Sequence, residues 1–499
     1  MQNHHCIANN CFQTAESGKQ TKGTPGSGLV SDLGLHIFTP QIRQQSHFSV
    51  YYRMKSPCFR NSLRLAFCVF LIAAIGITLN RCTKLHCESP HSQRNDLDSS
   101  TGLPQVESAD STESGYTQAV GKFPIVDTNQ KEFFGESRQI GKPDTADSMY
   151  GQDAQFSGRA PSYTILDKDT VKDNNTQLIW EKRYRVLTRA QALEALKEKN
   201  RDSKVQWRLP SIKEAYSLID FNGTDPSGPR SFASEEARPF IDSSVFDFEY
   251  GADGDRPIDS QMLSATVYRG RTMGNNPTVF GVNFADGRIK GYPIVSPRGE
   301  KKFMVRFVRG NPDYGKNNFR NNGDGTISDL STGLMWSRND SQKGMNWPDA
   351  LDYAQRMNAE KYLGHSDWRL PNAKELQSIV DYGLSPQEDQ RPAINNLFNT
   401  TEIKDEDGNK NWPFYWTSTT HKNTHDGRFA VYVCFGEGLG FFAPPHSGLP
   451  GRLMDVHGAG AQRSDPKTGN PAEFPRGHGP QGDVIRIFNF VRLVRDDRP

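Results

Sequence analysis

The sequence predicts an α+β protein in which one module is repeated in tandem. Three short blocks of sequence recur in the same order further along the chain: residues 170–180 and 326–336, 207–210 and 368–371, and 305–309 and 491–495. Chance can repeat one such block, but it rarely repeats three in register. We therefore expect residues 163–309 (copy 1) and 317–495 (copy 2) to fold as two copies of one domain.

Each copy is expected to contain two helices that begin at capping residues. The first helix follows Thr188 in copy 1 and Asn346 in copy 2. The second follows Ser211 and Asn372, and in both copies a glutamate three residues later completes a capping box. These signals place the same two helices at the same points of the two copies.

Three further strands are expected in each copy. Short runs rich in β-branched and aromatic residues, separated by Gly-containing turns, are typical of antiparallel strands. The runs are residues 261–268, 278–284 and 302–308 in copy 1, and 414–419, 428–435 and 485–494 in copy 2.

The repeated block Trp-Arg-Leu-Pro directly precedes the second helix of each copy. An exposed tryptophan there could stack on a sugar ring, but its place before a capped helix favours burial in both copies. The sequence therefore predicts that Trp207 and Trp368 are core residues and that function lies elsewhere.

The region before copy 1 is expected to be a targeting segment and a linker. Residues 1–53 form a leader that a wrongly assigned start codon would explain, residues 54–82 a signal peptide or membrane anchor, and residues 83–162 a disordered stalk rich in Ser, Asp, Gly, Gln and Thr.

Export is expected from an apolar run at residues 65–79 that follows Lys55, Arg60 and Arg64. The run is long for a signal peptide and short for a membrane-spanning helix, so cleavage and anchoring both remain open. Either alternative places the rest of the chain in the cell envelope, membrane-anchored or secreted, with the membrane as a partner of the N-terminal segment.

Composition excludes some function classes. Lys and Arg number 60 against 58 Asp and Glu, so no overall charge favours nucleic acid as a partner. Of the seven cysteines only Cys434 lies within the two copies, which leaves no cysteine pair there for a disulfide or a zinc site. No cofactor is expected, and the oligomeric state stays undetermined.

Copy 2 resembles the Lcl C-terminal domain family. The resemblance rests on its opening Asn-Asn-Gly-Asp-Gly-Thr, its Thr-Gly-Leu-Met-Trp, His-Ser-Asp-Trp-Arg-Leu-Pro and Trp-Thr-Ser blocks, and a closing Val-Arg: residues 321–326, 332–336, 365–371, 416–418 and 491–492. Copy 1 is degenerate, with Met262-Leu263-Ser264 where the Trp-Thr-Ser block stands in copy 2. The resemblance implies a C-type lectin-like fold and a role at the bacterial surface, where the family's namesake binds sulfated polysaccharide and host surfaces.

Candidate ligand-binding residues lie where the copies differ. Residues 436–482 of copy 2 have no counterpart of similar length in copy 1, and residues 381–413 are a second, weaker candidate segment. Aromatic faces for sugar rings and donors to carboxylate or sulfate groups are expected nearby: Trp412, His421, Lys422, Arg428, Phe441, Phe442 and Arg452. A mobile loop without a ligand is the alternative.

Metal and enzyme hypotheses find less support. The Asp324 region reads better as a turn than as a calcium loop, because it lacks the first and twelfth ligands. The chain has no nucleophile elbow, phosphate-binding loop or zinc-protease helix. We therefore expect a non-catalytic surface protein that binds a glycan or cell-envelope polymer. The alternatives are a structural envelope protein that makes protein contacts and an uncatalogued enzyme.

Overall fold

The structure, a computed structural model, describes residues 122–227, 236–251, 256, 258–296, 299–444 and 447–497. All of them belong to one compact unit. This part of the chain is mostly sheet with a few short helices, which confirms the α+β class.

Residues 122–162 form an ordered arm, and the disordered stalk predicted for this segment is wrong. The arm contains strands β1 (Phe133–Phe134) and β2 (Gln139–Ile140) and a short 3-10 helix, Asp153–Gln155. Phe123 and Ile125 enter the main hydrophobic core. The sequence of the arm has no periodic pattern. Its order comes instead from packing against distant parts of the chain.

Copy 1 has thirteen elements in the part that the structure describes. They are β3 Tyr163–Ile165, β4 Thr170–Asp173, β5 Leu178–Glu181, β6 Arg185–Thr188, α1 Arg189–Asn200, α2 Ile212–Ser217, β7 Gln261–Val267, β8 Thr278–Asn283, β9 Arg288–Pro293, β10 Val295–Ser296, β11 Gly299–Glu300, β12 Lys302–Val305 and β13 Val308–Gly310.

Copy 2 repeats most of this order with additions, but isolated bridges stand where copy 1 has β6 and β12. Its strands and α-helices are β14 Phe319–Asn321, β15 Thr326–Asp329, β16 Leu334–Ser337, α3 Trp347–Ala359, α4 Ala373–Ser378, α5 Pro386–Asp389, β17 Ile403–Lys404, β18 Lys410–Asn411, β19 Phe414–His421, β20 Phe429–Cys434, β21 Leu439–Phe442, β22 Arg452–Asp455, β23 Gln462–Pro466 and β24 Val494–Asp496. Short 3-10 helices lie at Tyr362–Gly364 and Pro471–Glu473.

The predicted helix starts are confirmed. Thr188 caps α1, and the Asn346 side chain accepts a hydrogen bond from the third residue of α3. Ser211 and Asn372 each form a complete capping box with the glutamate three residues later. Side-chain capping satisfies backbone N–H groups that a helix leaves without partners, so local sequence fixes these four starts.

The opening sheets of the two copies have the same topology. Each opens with a four-stranded sheet, in the order β13-β5-β4-β3 in copy 1 and β24-β16-β15-β14 in copy 2. Val308 pairs with Trp180 in the first sheet, and Val494 pairs with Trp336 at the same point of the second. The repeated blocks therefore mark equivalent places in one fold.

A buried arginine closes each copy in the same way. Arg306 donates hydrogen bonds to the carbonyls of residues 181, 182 and 247, and Arg492 donates to those of residues 337, 338 and 399. Both side chains are almost completely buried. The repeated closing Val-Arg is thus explained by backbone carbonyls that need a buried donor.

One eight-stranded sheet joins the copies, in the order β19-β20-β23-β9-β8-β7-β12-β6. The junction is the pair Gln462 and Ile289, between β23 of copy 2 and β9 of copy 1. Gly291 donates a hydrogen bond to the His457 carbonyl there, and a Cβ at Gly291 would lie 2.7 Å from that oxygen. Glycine is therefore required where the two backbones approach.

Two lysines tie the copies together reciprocally. Lys213 of α2 donates to the carbonyl of Ser378, the last residue of α4, and Lys374 of α4 donates to the carbonyl of Ser217, the last residue of α2. Burial lowers the pKa of both amino groups to about 8. Because the same residue types exchange the same bonds, the copies are related by an approximate twofold axis.

The predicted burial of the repeated tryptophans holds for only one of them. Trp368 is 1% exposed. Trp207 is half-buried and lies between the cationic groups of Lys199 and Arg309. Trp207 packs at the edge of a smaller core cluster, so the prediction of full burial is wrong for it.

The expected membrane partner is corrected by the structure. Within the ranges described above, no helix is long and apolar enough to cross a bilayer. Residues 65–79, on which that expectation was based, lie outside the described residues.

Candidate functional site

The long segment at residues 436–482 is more ordered than the predicted loop. It contains a hairpin of β21 and β22, followed by β23, which pairs with β20 in the large sheet. By its place in the sheet β23 is the counterpart of β9, so only the hairpin and the residues after β23 are additions peculiar to copy 2.

The hairpin peculiar to copy 2 and the segments beside it form a groove of about 550 Å3, here named the insertion groove. Its walls come from the segment around β17, from the hairpin and the 3-10 helix of residues 471–473, and from residues 484–488. The lining residues are Ile403, Lys404, Glu406, Phe441, Pro471, Ala472, Phe474, Pro475, Val484, Ile485, Arg486 and Phe488.

The aromatic side of the groove is held in place by a strained turn. Phe488 is 48% exposed, and Ile487 before it has a φ of 61°. A β-branched residue rarely adopts this left-handed conformation, and here it is enforced by the Asp465 carboxylate. One oxygen of Asp465 accepts hydrogen bonds from the backbone N–H groups of Arg486 and Ile487 and from the Asn489 side chain.

The polar side of the groove is formed by Arg486 and Lys404. Arg486 forms two hydrogen bonds with Glu406, at 2.9 and 3.2 Å, and its guanidinium lies 4.0 Å from the centroid of the Phe414 ring. Its Nη1 is buried and has no hydrogen-bond partner among the described residues. Lys404 adds an exposed amino group at the rim.

A family comparison accounts for the repeated scaffold around this groove. The model of the Lcl C-terminal domain matches residues 169–309 and 325–452, together more than half of the chain. The protein belongs to this family. The two matched regions fall in the two copies, so the chain carries two Lcl C-terminal domains in tandem. Neither the curated proteins nor the solved structures gave a match.

Three of the predicted site residues lie on the hairpin of the second Lcl C-terminal domain. Phe441 lines the insertion groove. Phe442 and Arg452 pair across β21 and β22, beside the groove lining. The structure therefore brings one predicted residue into the groove and places two next to it.

Two other predicted residues are buried, and their expected role at a ligand surface is wrong. Trp412 is 6% exposed, with the Lys410 amino group 5.2 Å from the centroid of its ring. His421 is 1% exposed and ends strand β19 instead of lying in a loop. Burial, with the Arg288 guanidinium nearby, lowers the pKa of His421 to about 3. A neutral imidazole bonded to the Asp286 carbonyl has a structural role.

Lys422 and Arg428 lie away from the insertion groove, in the loop that follows β19. Lys422 forms a 2.8 Å ion pair with Glu132 of the arm, and Arg428 pairs with Asp426. Lys422 lines a second pocket of about 560 Å3, together with Arg138 and other residues of the arm and both copies. No lining residue is common to the two pockets.

Sequence reasoning missed Lys404, Phe474, Arg486 and Phe488. Phe474 stands between Pro471 and Pro475 in the segment already singled out, so its signal was present. Phe488 was hidden within a predicted strand, and only a comparison of the two closing segments marks it. Its counterpart in the first Lcl C-terminal domain is Lys302.

The segment around Asp324 forms a turn, as the sequence predicts. One carboxylate oxygen of Asp324 accepts hydrogen bonds from the backbone N–H and the hydroxyl of Thr326, between β14 and β15. Across the residues for which coordinates are described, no cluster of three or more His, Cys, Asp or Glu side chains is placed to hold a metal ion.

Proposed function

We propose that this protein is an exported, non-catalytic binding protein and that the insertion groove holds one segment of a glycan or cell-envelope polymer. The observation that carries the proposal is that Phe488, half-exposed and held out by a strained turn, lines the groove together with the guanidinium of Arg486. Strained backbone persists only where the surrounding structure enforces it, and such strain gathers at functional sites.

The chemistry of the groove matches that of a sugar ring. Pyranose rings present C–H faces that pack on aromatic rings, and hydroxyl or carboxylate oxygens that accept hydrogen bonds. Phe441, Phe474 and Phe488 supply the apolar surface, while Arg486 and Lys404 supply the donors. A groove of this size accommodates a few sugar residues.

The comparison between the two Lcl C-terminal domains supports a single site of this kind in each chain. Lys302, the counterpart of Phe488, lies in the regular strand β12 and pairs with Thr188. Copy 1 also has no counterpart of the β21–β22 hairpin in its described residues. The groove is therefore built by a hairpin that copy 2 adds to the common scaffold, together with segments whose counterparts in copy 1 differ in side chain.

We further propose that each copy is a variant of the C-type lectin-like fold. The two capped helices and the mainly antiparallel sheet of each copy support this assignment. Function does not follow from the fold, and the proposal of glycan binding rests on the groove.

A polysaccharide pull-down with the full chain tests the proposal. Sulfated and unsulfated polysaccharides and cell-wall fragments are immobilised, and retention of the wild type is compared with that of Phe488→Ala and Lys302→Ala. We expect Phe488→Ala to weaken retention on at least one polymer by about tenfold, which corresponds to about 1.4 kcal/mol. Lys302→Ala, the matched change in copy 1, should leave it unchanged.

Two outcomes would overturn the proposal. One is the absence of retention on every polymer. The other is equal retention of Phe488→Ala and the wild type when the thermal midpoints of both proteins are the same. Because Phe488 is half-exposed, its truncation should disturb folding little.

A further inference from the structure

The approximate twofold axis relates two clefts, and the arm fills only one of them. In copy 2 the cleft lies between the start of α4 and the end of β19. Asp153 of the arm accepts a hydrogen bond from the Thr419 hydroxyl, and the Phe156 ring lies 5.7 Å from the Arg369 guanidinium. A segment with a 3-10 turn at Asp153–Gln155 thus binds this cleft within the chain.

A side-chain amide strengthens the seating of the arm. Gln130 donates to the Thr420 carbonyl at 2.8 Å and accepts from the Thr420 N–H at 2.9 Å. As a result residues 418–420 are at most 1% exposed. The arm therefore binds this strand end through one carboxylate, one amide and one aromatic ring.

The equivalent surface of copy 1 has the same local geometry. The Thr266 hydroxyl accepts a hydrogen bond from the first backbone N–H of α2, as the Thr419 hydroxyl does for α4. The backbone of Ala265 is bonded to the Pro210 carbonyl, and that of Ser418 to the Pro371 carbonyl. The two strand ends are therefore built alike down to single hydrogen bonds.

The two strand ends differ in how far other residues cover them. Ala265 is exposed, Thr266 is half-buried and Val267 is 43% exposed, although their counterparts in copy 2 are buried. The Arg208 side chain is 35% exposed and that of Arg369 only 13%. Copy 1 thus has an open cleft of about 580 Å3 where copy 2 has a bound peptide.

The length of the preceding segment explains the asymmetry. The arm before copy 1 covers the cleft of copy 2, and residues 311–318 before copy 2 lie against the cleft of copy 1. This short linker reaches only one end, where the Asn317 side chain accepts from Lys213 just as the Asp127 carbonyl accepts from Lys374. No residues remain in it to cover Thr266.

We propose that the open cleft of copy 1 binds a peptide segment of a partner protein that forms a 3-10 turn between an acidic residue and an aromatic residue three positions later. The acidic side chain would accept from the Thr266 hydroxyl and the aromatic ring would lie against Arg208, as Asp153 and Phe156 do in copy 2. This site is distinct from the insertion groove and does not depend on the glycan proposal.

A labelled peptide tests this site on the full chain. The probe has the sequence of residues 148–159 (SMYGQDAQFSGR), and its binding is followed by fluorescence polarisation. Ala265→Arg fills the cleft from an exposed position and should weaken binding at least tenfold. Val267→Glu, a second exposed change, should weaken it as well through repulsion of the acidic residue. A control probe that carries both Asp153→Asn and Phe156→Ala should bind at least tenfold less tightly.

The outcomes separate the open cleft from the occupied one. Binding that is lost in Ala265→Arg and Val267→Glu, with unchanged thermal midpoints, supports the proposal. Binding that both variants retain would mean that the probe displaces the arm from copy 2, which overturns it. No binding by the wild type at millimolar probe would overturn it too.

Discussion

The two copies are most alike in their interiors and most different in what covers equivalent surfaces. Arg306 and Arg492 hold equivalent carbonyls, and Lys213 and Lys374 exchange equivalent bonds. By contrast, one cleft is filled by the arm and the other is open, and only copy 2 has the insertion groove. The comparison teaches that the repeated blocks encode folding, whereas function is expected in the segments that were added to or left out of one copy.

The largest expected effect tests whether the copies form one cooperative unit. Arg306→Ala or Arg492→Ala leaves three carbonyls without their donor, and each buried unsatisfied group costs about 1–3 kcal/mol. We expect each variant to lower the free energy of unfolding by about 3–5 kcal/mol. Because the main core contains residues of both copies, calorimetry should show a single transition that both variants shift.

Two transitions, of which each variant moves only one, would contradict the shared core. Arg306→Lys and Arg492→Lys are the matched controls. They keep one charge but lose the fork that reaches several carbonyls, so they should restore only part of the lost stability.

The tryptophan pair sharpens the comparison at a position where burial differs. Trp368→Ala should cost about 3–5 kcal/mol, since it empties a fully buried site. Trp207→Ala should cost roughly half of that because Trp207 is half-buried and less area returns to water. Chemical denaturation of the two variants measures both costs. Equal costs would mean that copy 1 is as well covered there as copy 2.

A smaller effect, dependent on pH, reports on the seating of the arm. Burial, together with the nearby Asp127 charge, raises the pKa of Asp153 to about 7, against about 3.9 in an unfolded chain. The folded state therefore holds the proton of Asp153 more tightly than the unfolded chain does. The stability that the protonated carboxyl contributes below pH 4 is lost as the pH rises to 7. Asp153→Asn removes this dependence.

Relative to the wild type, Asp153→Asn should thus gain stability between pH 4 and pH 7, on the order of 1 kcal/mol per pH unit, and no more above that range. Thermal midpoints of both proteins across this range give the measurement. A difference in thermal midpoint that stays constant across this pH range would show that the pKa of Asp153 is not raised and that the arm packs more loosely.

Much of the scaffold could be predicted from the sequence because its signals are local. The capping residues Thr188, Ser211, Asn346 and Asn372 each act within one helical turn, and all four starts are as predicted. The repeat itself is visible without any structure. The positions of the helices and the equivalence of the copies follow from these two kinds of information.

The arm and the groove could not be predicted in this way, because their order comes from distant contacts. Gln130 is held by Thr420, 290 residues further along the chain. Ile487 adopts its unusual backbone conformation because Asp465 binds the neighbouring N–H groups, and no local pattern marks it. The prediction for His421 is wrong for the same reason, since the loop-like composition after it gives no sign that β19 extends to this residue.

Amide hydrogen exchange of the full chain, with and without a polysaccharide that it retains, tests most directly whether the added segments bind. The account predicts new protection at residues 403–406, 439–442, 471–475 and 484–488, which line the insertion groove. Residues 299–305 of copy 1, which include Lys302, the counterpart of Phe488, should be unaffected. Protection that appears instead on strands common to both copies, or equally in both, would contradict the account and place the site on the shared scaffold.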